Sequence, residues 1–400
     1  MSVMLAKITS DTKKFIIVMI IVGLGMAGDA MIYCLLPVTP ESFNITVFQI
    51  GILLSVNRFV RLITNEISTT VVTRLNSDKP LIIAVCLSTF ITLGYAIPWG
   101  FWWLLFLRAL WGGCFSLLRI EGYIAALRYS NRESLSRYMA WHETIKGQIY
   151  GIITIVSGVL ADLISPRSVP VLLAALTAAC LLFFKGGRAN LMGTEGAAVD
   201  TAPRSGRGKV SNPKVLIILG LVILVSATFA TMMGSLRGRA IVDYILPGAG
   251  IAVGAATFAA LFQVAGQVVS LSGPVIGYFC DKIGRRKAFS IVFIIQIIII
   301  LTLALFKLWY IMLVMFIVQL FSGSASQILR TAISGEYANP SEQAVFMNRI
   351  ATFQDMGSAT GPFLGYALYA GTGNFQLIAI IMIPCLLFSV FALRKIGKAT

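Results

Sequence analysis

Long apolar runs separated by short polar turns recur along the whole chain. Stretches of about 20 mostly apolar residues, the length that crosses a hydrocarbon core, lie near 15–37, 47–73, 81–98, 102–127, 138–162, 168–184, 216–246, 252–280, 288–306, 309–334, 346–369 and 374–393. The pattern predicts an all-α membrane protein of twelve transmembrane helices. Between the sixth and seventh segments, Lys185 to Lys214 is rich in Gly, Ala, Arg and Ser and lacks apolar periodicity. It reads as a flexible linker between two six-helix halves, residues 1–184 and 215–400.

Composition agrees with the pattern. Of 400 residues, 58% are hydrophobic and 12% charged, and the mean hydropathy is +0.87, so a soluble domain is excluded. The formal net charge of +16 would suggest a nucleic-acid partner in a soluble protein. Here 21 of the 32 Lys and Arg residues fall in alternate turns and at the two ends, two on the opposite side and nine within segments. Positive-inside orientation accounts for that distribution, with both termini cytoplasmic. The segment after Lys14 is too long and continuous for a cleaved signal peptide and reads as the first span. The six cysteines show no metal-ligand spacing and indicate neither a disulfide frame nor a zinc site.

The two halves carry an internal repeat offset by about 210 residues, visible in polar landmarks. Gly28-Asp29 through Pro37 aligns with Gly238-Arg239 through Pro247, Gly112 and Arg119 with Gly323 and Arg330, and Gly147 and Gly151 with Gly357 and Gly361. Pseudo-symmetric halves follow.

Between segments 8 and 9 stands Gly273-Pro-Val-Ile-Gly277-Tyr-Phe-Cys-Asp281-Lys-Ile-Gly284-Arg285-Arg286-Lys287. Its Gly-x3-Asp-Lys-x-Gly-Arg-Arg-Lys pattern resembles the signature loop of the major facilitator superfamily of secondary transporters. The resemblance implies alternating access at a midplane site between the halves, with Gly277, Asp281, Gly284, Arg285 and Arg286 as a gating motif. The first-half copy is degraded: Thr69 and Thr73 stand where the second half has Gly277 and Asp281, and no Gly-Arg-Arg follows. Arg108-x3-Gly112 in segment 4 is similar to a motif of proton-coupled members, which implies a gating or coupling role for Arg108. Segment 11 carries Gly357-x3-Gly361-Pro362, whereas segment 5 lacks a proline after Gly151; that departs from the pattern of drug–proton antiporters.

A charge in the bilayer core costs about 2.5–3.5 kcal/mol even on lenient scales, so each marks a candidate site. Arg119 and Arg330, pseudo-symmetric in segments 4 and 10, are suited to clamp a carboxylate or phosphate; the alternative is that each braces helices against a partner such as Glu121 or Glu66. Arg58, Arg61 and Arg239 are further solute-binding candidates. For the coupling proton the candidates are Asp29, Glu121, His142, Glu143 and Arg108; His142, Glu143 and Lys146 fall within one turn of segment 5. A pair between Asp29 and its repeat mate Arg239 is expected across the halves.

These features predict a proton-coupled carrier of a small organic anion in a bacterial cytoplasmic membrane, functioning as a monomer with no cofactor and no nucleic-acid partner. The rivals are an efflux antiporter for amphipathic compounds and a non-transporting receptor or scaffold. One histidine and no nucleotide-binding loop argue against an enzyme.

Overall fold

The computed structural model describes residues 10–75, 77–130, 134–184, 191, 212–250, 254–337 and 342–396. Twelve helical spans run in the predicted order. In the first half they are α1 (Thr12–Leu35), α2 (Val47–Leu75), α3 (Lys79–Gly94), α4 (Phe101–Tyr129), α5 (Leu135–Leu163) and α6 (Val169–Phe184). In the second they are α7 (Pro213–Ala249), the bent α8 (Ala255–Leu271 and Gly273–Ile283), α9 (Arg285–Leu305), α10 (Trp309–Tyr337), α11 (Gln343–Ala370) and α12 (Gln376–Ile396). Apart from Leu191, the predicted linker lies outside the described residues as far as Ser211.

Eight spans are individually long and apolar enough to cross a membrane, and the bent α8 makes a ninth. Helix α3 and helix α6 are shorter. Helix α11, which carries Asn348, Arg349, Gln354 and Asp355, is too polar for that set and packs against α7 on one side and α2 on the other.

The breaks have local causes. Helix α8 bends by 56° at Ser272, where Gly273 and Pro274 follow and proline removes a helical donor. Helix α7 widens into a π turn over Ile241–Ile245, just before Pro247. Gly284 ends α8 with φ of 94°, a left-handed conformation that strains any residue with a Cβ.

Glycines set the tightest helix contacts. A Cβ on Gly357, Gly361 or Gly365 of α11 would strike α7 at Leu224, Thr228 or Met232. One on Gly112 of α4 would meet the Asn57 carbonyl of α2 at 2.8 Å, which is what the Arg-x3-Gly spacing secures. The halves meet where α2 crosses α11 and α5 crosses α8. Gly51 approaches Pro362 and Tyr366 in the first crossing, and Gly158 approaches Ala256 and Ala260 in the second.

Candidate functional site

Cross-half contacts concentrate in the part of the bundle remote from the chain termini. A proline at position 362 cannot donate to the carbonyl four residues back, that of Ser358. Arg58 of α2 takes that carbonyl with Nη1 at 2.6 Å, while its Nε donates to Tyr33 Oη at 3.2 Å. The Phe363 amide donates to Ser55 Oγ at 3.0 Å. At the second crossing, the Asp162 carboxylate accepts the amides of Ala256 at 3.3 Å and Thr257 at 2.7 Å, at the start of α8. Toward the termini, Glu143, Trp141 and Asp281 are exposed.

Between these seals and the open end lies a cavity of about 380 Å³. Helix α1 contributes Tyr33, α7 Ser235 and Arg237, α8 Gln263 and Gln267, and α10 Gln327. Arg237 lies over the Phe262 ring at 5.4 Å and donates from Nη1 to the Phe262 carbonyl at 3.3 Å. Its Nε is buried without a hydrogen-bond partner, and no carboxylate pairs with it among the described residues. An unpaired guanidinium facing primary amides and hydroxyls can receive one anionic group and hydrogen-bond the rest of a polar solute. A second chamber of about 450 Å³ adjoins it through Gln267 and Ser270 and opens past Phe115, Glu143 and Lys146. Together the chambers form a route from the seals toward the end bearing the termini, polar in the first chamber and more apolar, past Met26, Phe115 and Leu271, in the second.

The arginines named from sequence fall into separate settings. Arg61 lies over the Phe115 ring at 4.5 Å, with Arg58, Arg119 and Asp355 as charged neighbours. The Nε of Arg119 is buried and unpartnered among the described residues. Arg330 donates to Ser226 Oγ of α7 at 3.0 Å and to Ser326 Oγ of its own helix at 3.2 Å. The expected Asp29–Arg239 pair is not formed. Arg239 holds Asp243 at 2.8 Å, one turn along its own helix. Asp29 instead holds Arg108 Nη1 at 2.6 Å, with side-chain exposures of 9% and 1%. Arg108 also donates to the Leu53 carbonyl at 3.0 Å.

Of the helix-5 cluster, Glu143 holds Lys146 at 2.7 Å beside the second chamber. His142 points the other way, fully buried against Gly122 and the Tyr123 ring. Its Nδ1 lies 3.2 Å from Glu143 Oε1, and neither ring nitrogen makes a hydrogen bond among the described residues. Glu121, the proposed partner of Arg119, is fully buried, and neither carboxylate oxygen is hydrogen-bonded among the described residues. In the signature loop, Asp281 holds Arg285 at 2.8 Å, and Glu336 of α10 lies 3.9 Å from Arg285 and 3.6 Å from Arg286. Gly277 faces Ile328 of α10. Sequence reading passed over Arg237 and the glutamines as site residues; the signal present was amides at i and i+4 in an apolar helix.

This architecture is that of a membrane transporter with two six-helix halves around a central cavity. The Major Facilitator Superfamily profile matches residues 18–271 and 239–398, and the chain belongs to that family. No curated protein sequence matches it significantly. Among solved structures, the nucleoside transporter NupG superposes with a TM-score of 0.76 at 12% identity, covering 96% of this chain and 99% of NupG. A bacterial homologue of the human lysosomal transporter Spinster, inward-facing and occupied, gives 0.69 at 13% identity, covering 95% and 94%. Its unoccupied inward-facing form gives 0.70 at 12%, covering 97% and 98%.

Proposed function

We propose that the chain is a secondary active carrier of a small anionic solute, working by alternating access and coupled to protons. The observation that carries this reading is Arg237, a cation without a carboxylate partner among the described residues, lining a polar cavity between the halves. In the superfamily such a site lies near the midplane. Arg61 and Arg119 act as accessory cations on the first-half side. Arg58, Arg239 and Arg330 brace the helices, because each already has hydrogen-bond partners.

Proton coupling is assigned to the Asp29–Arg108 pair. A proton on Asp29 cancels its attraction for Arg108 and frees the guanidinium to repack, which gives the bistable element that coupling requires. Glu121, His142 and Glu143 are further candidates in that role, and Gly277, Asp281, Gly284, Arg285 and Arg286 are assigned to gating. The charge distribution supports a bacterial cytoplasmic membrane with both termini inside; a monomer suffices.

The test is solute-driven pH change in proteoliposomes, with organic anions, nucleosides and hydrophobic cations compared. Anion-driven proton movement, strongly reduced in Arg237→Gln at the same solute concentration, is the expected result. The three glutamines, together with NupG being a nucleoside transporter, favour a neutral hydrogen-bonding solute as the second reading, and a nucleoside response that survives Arg237→Gln would select it. A response to cations alone means amphipathic efflux. A single access state under every gradient means a receptor or scaffold.

A further inference from the structure

At the end of the bundle that bears the termini, α9 and α12 enclose a groove of about 580 Å³ on the outer surface. Arg286, Lys287 and Arg394 stand at its mouth, and Ile291, Ile294 and Leu393 form its walls. A second hollow of about 510 Å³ shares Arg394, adds Lys395, and is walled by Ile218, Phe388 and Phe391. Neither lining includes a carboxylate among the described residues.

Charge and hydrocarbon are segregated here by helix geometry. Lys287, Ile291 and Ile294 follow i, i+4, i+7 spacing down one face of α9, and Phe388, Phe391 and Lys395 follow i, i+3, i+7 along one face of α12. Ile291 is 45% exposed, Ile294 46% and Phe391 62%, so the apolar walls lie open to the surroundings. Bulk lipid would cover apolar walls on any span. The four clustered cations are different, because a zwitterionic headgroup brings no net charge to neutralise them, whereas an anionic one does.

We propose that this double groove binds an anionic phospholipid, with its phosphate on Lys287 and Arg394 and its acyl chains along α9 and α12. The site is separate from the solute cavity and does not depend on what that cavity carries. It reaches the signature loop through Arg286, which lines the groove while lying 3.6 Å from Glu336. A bound phosphate therefore competes with Glu336 for that arginine.

The experiment is native mass spectrometry of the full-length protein, stripped in neutral detergent and titrated with phosphatidylglycerol or with phosphatidylethanolamine of the same acyl chains. Wild type is expected to retain phosphatidylglycerol preferentially. Lys287→Gln with Arg394→Gln should weaken its binding about 25-fold, at about fivefold per cation. The charge-conserving pair Lys287→Arg with Arg394→Lys should keep the preference, as should Lys307→Gln at the opposite end. A melting temperature unchanged in lipid-free detergent ties the loss to the site; should the double variant fail to fold, Arg394→Gln alone is read in its place. Equal retention of both lipids, or a preference that survives neutralisation, overturns the proposal. So does glycerol phosphate binding as tightly as the lipid, which would make this a site for a free anion.

Discussion

Arg58 occupies, at 2.6 Å, the Ser358 carbonyl that Pro362 leaves without its helical donor. The two residues are 300 positions apart and belong to opposite halves. A discontinuity in one half is thus satisfied by a cation of the other. When the halves separate here, that carbonyl and the guanidinium must both find new partners.

Arg58→Ala should therefore disfavour the described state. A hydrogen bond to a charged group contributes about 1.5–3 kcal/mol, so the equilibrium should move roughly 10- to 150-fold. Spin-label distances between α2 and α11 report the shift. In a Pro362→Ala background, where an amide is restored to the helix, the same change should cost less. Additive effects of the two substitutions would sink the link between them.

Asp162 caps α8 from the other half, so Asp162→Ala should loosen the second seal by about 0.5–2 kcal/mol, the range for losing a helix cap. Asp162→Asn retains an acceptor and should lose less. Labelling of single cysteines placed near Thr257, from the side opposite the termini, would distinguish them; equal labelling of both variants would argue against capping.

Asp29→Asn leaves Arg108 charged and buried without its counter-ion, a defect of about 3–5 kcal/mol. A large fall in the melting temperature is expected. Asp29→Asn combined with Arg108→Gln should recover much of it, since no isolated charge remains. If the double variant is as unstable as the sum of the singles, the pair is not the coupled unit seen here.

Arg237→Gln should weaken binding of an anionic solute by about 1.5–3 kcal/mol while sparing a neutral analogue of the same shape. Isothermal titration with both solutes checks this. Parallel losses would mean that Arg237 shapes the cavity without reading charge.

The helices, their order and the signature loop were legible because apolar run length and turn chemistry are local properties. Gly284 could be read from the loop motif, and its φ of 94° supplies the reason. The pairing of charges was less legible. Arg239 is the repeat mate of Asp29, but Asp243 four residues on is the closer partner and takes it. Arg237, two residues earlier, projects about 200° away around the helix, and sequence alone does not say which of the two faces the cavity. Apolar periodicity is a poor guide there, since several sides of α7 meet other helices. The tie between Arg58 and Ser358 has no side-chain signature at position 358; only the proline four residues on betrays the open carbonyl.

Three ties between the halves share one property. Arg58 reads the Ser358 carbonyl, Ser55 the Phe363 amide, and Asp162 the amides of Ala256 and Thr257. In each, one partner is main chain, present for any residue at that position except a proline where the amide is the donor. Position 358, and with proline excepted positions 363, 256 and 257, can drift without losing the group that is recognised, so covariation between the halves would be silent at these seals. Diverging relatives can rewrite the lining of the cavity while keeping the same closure.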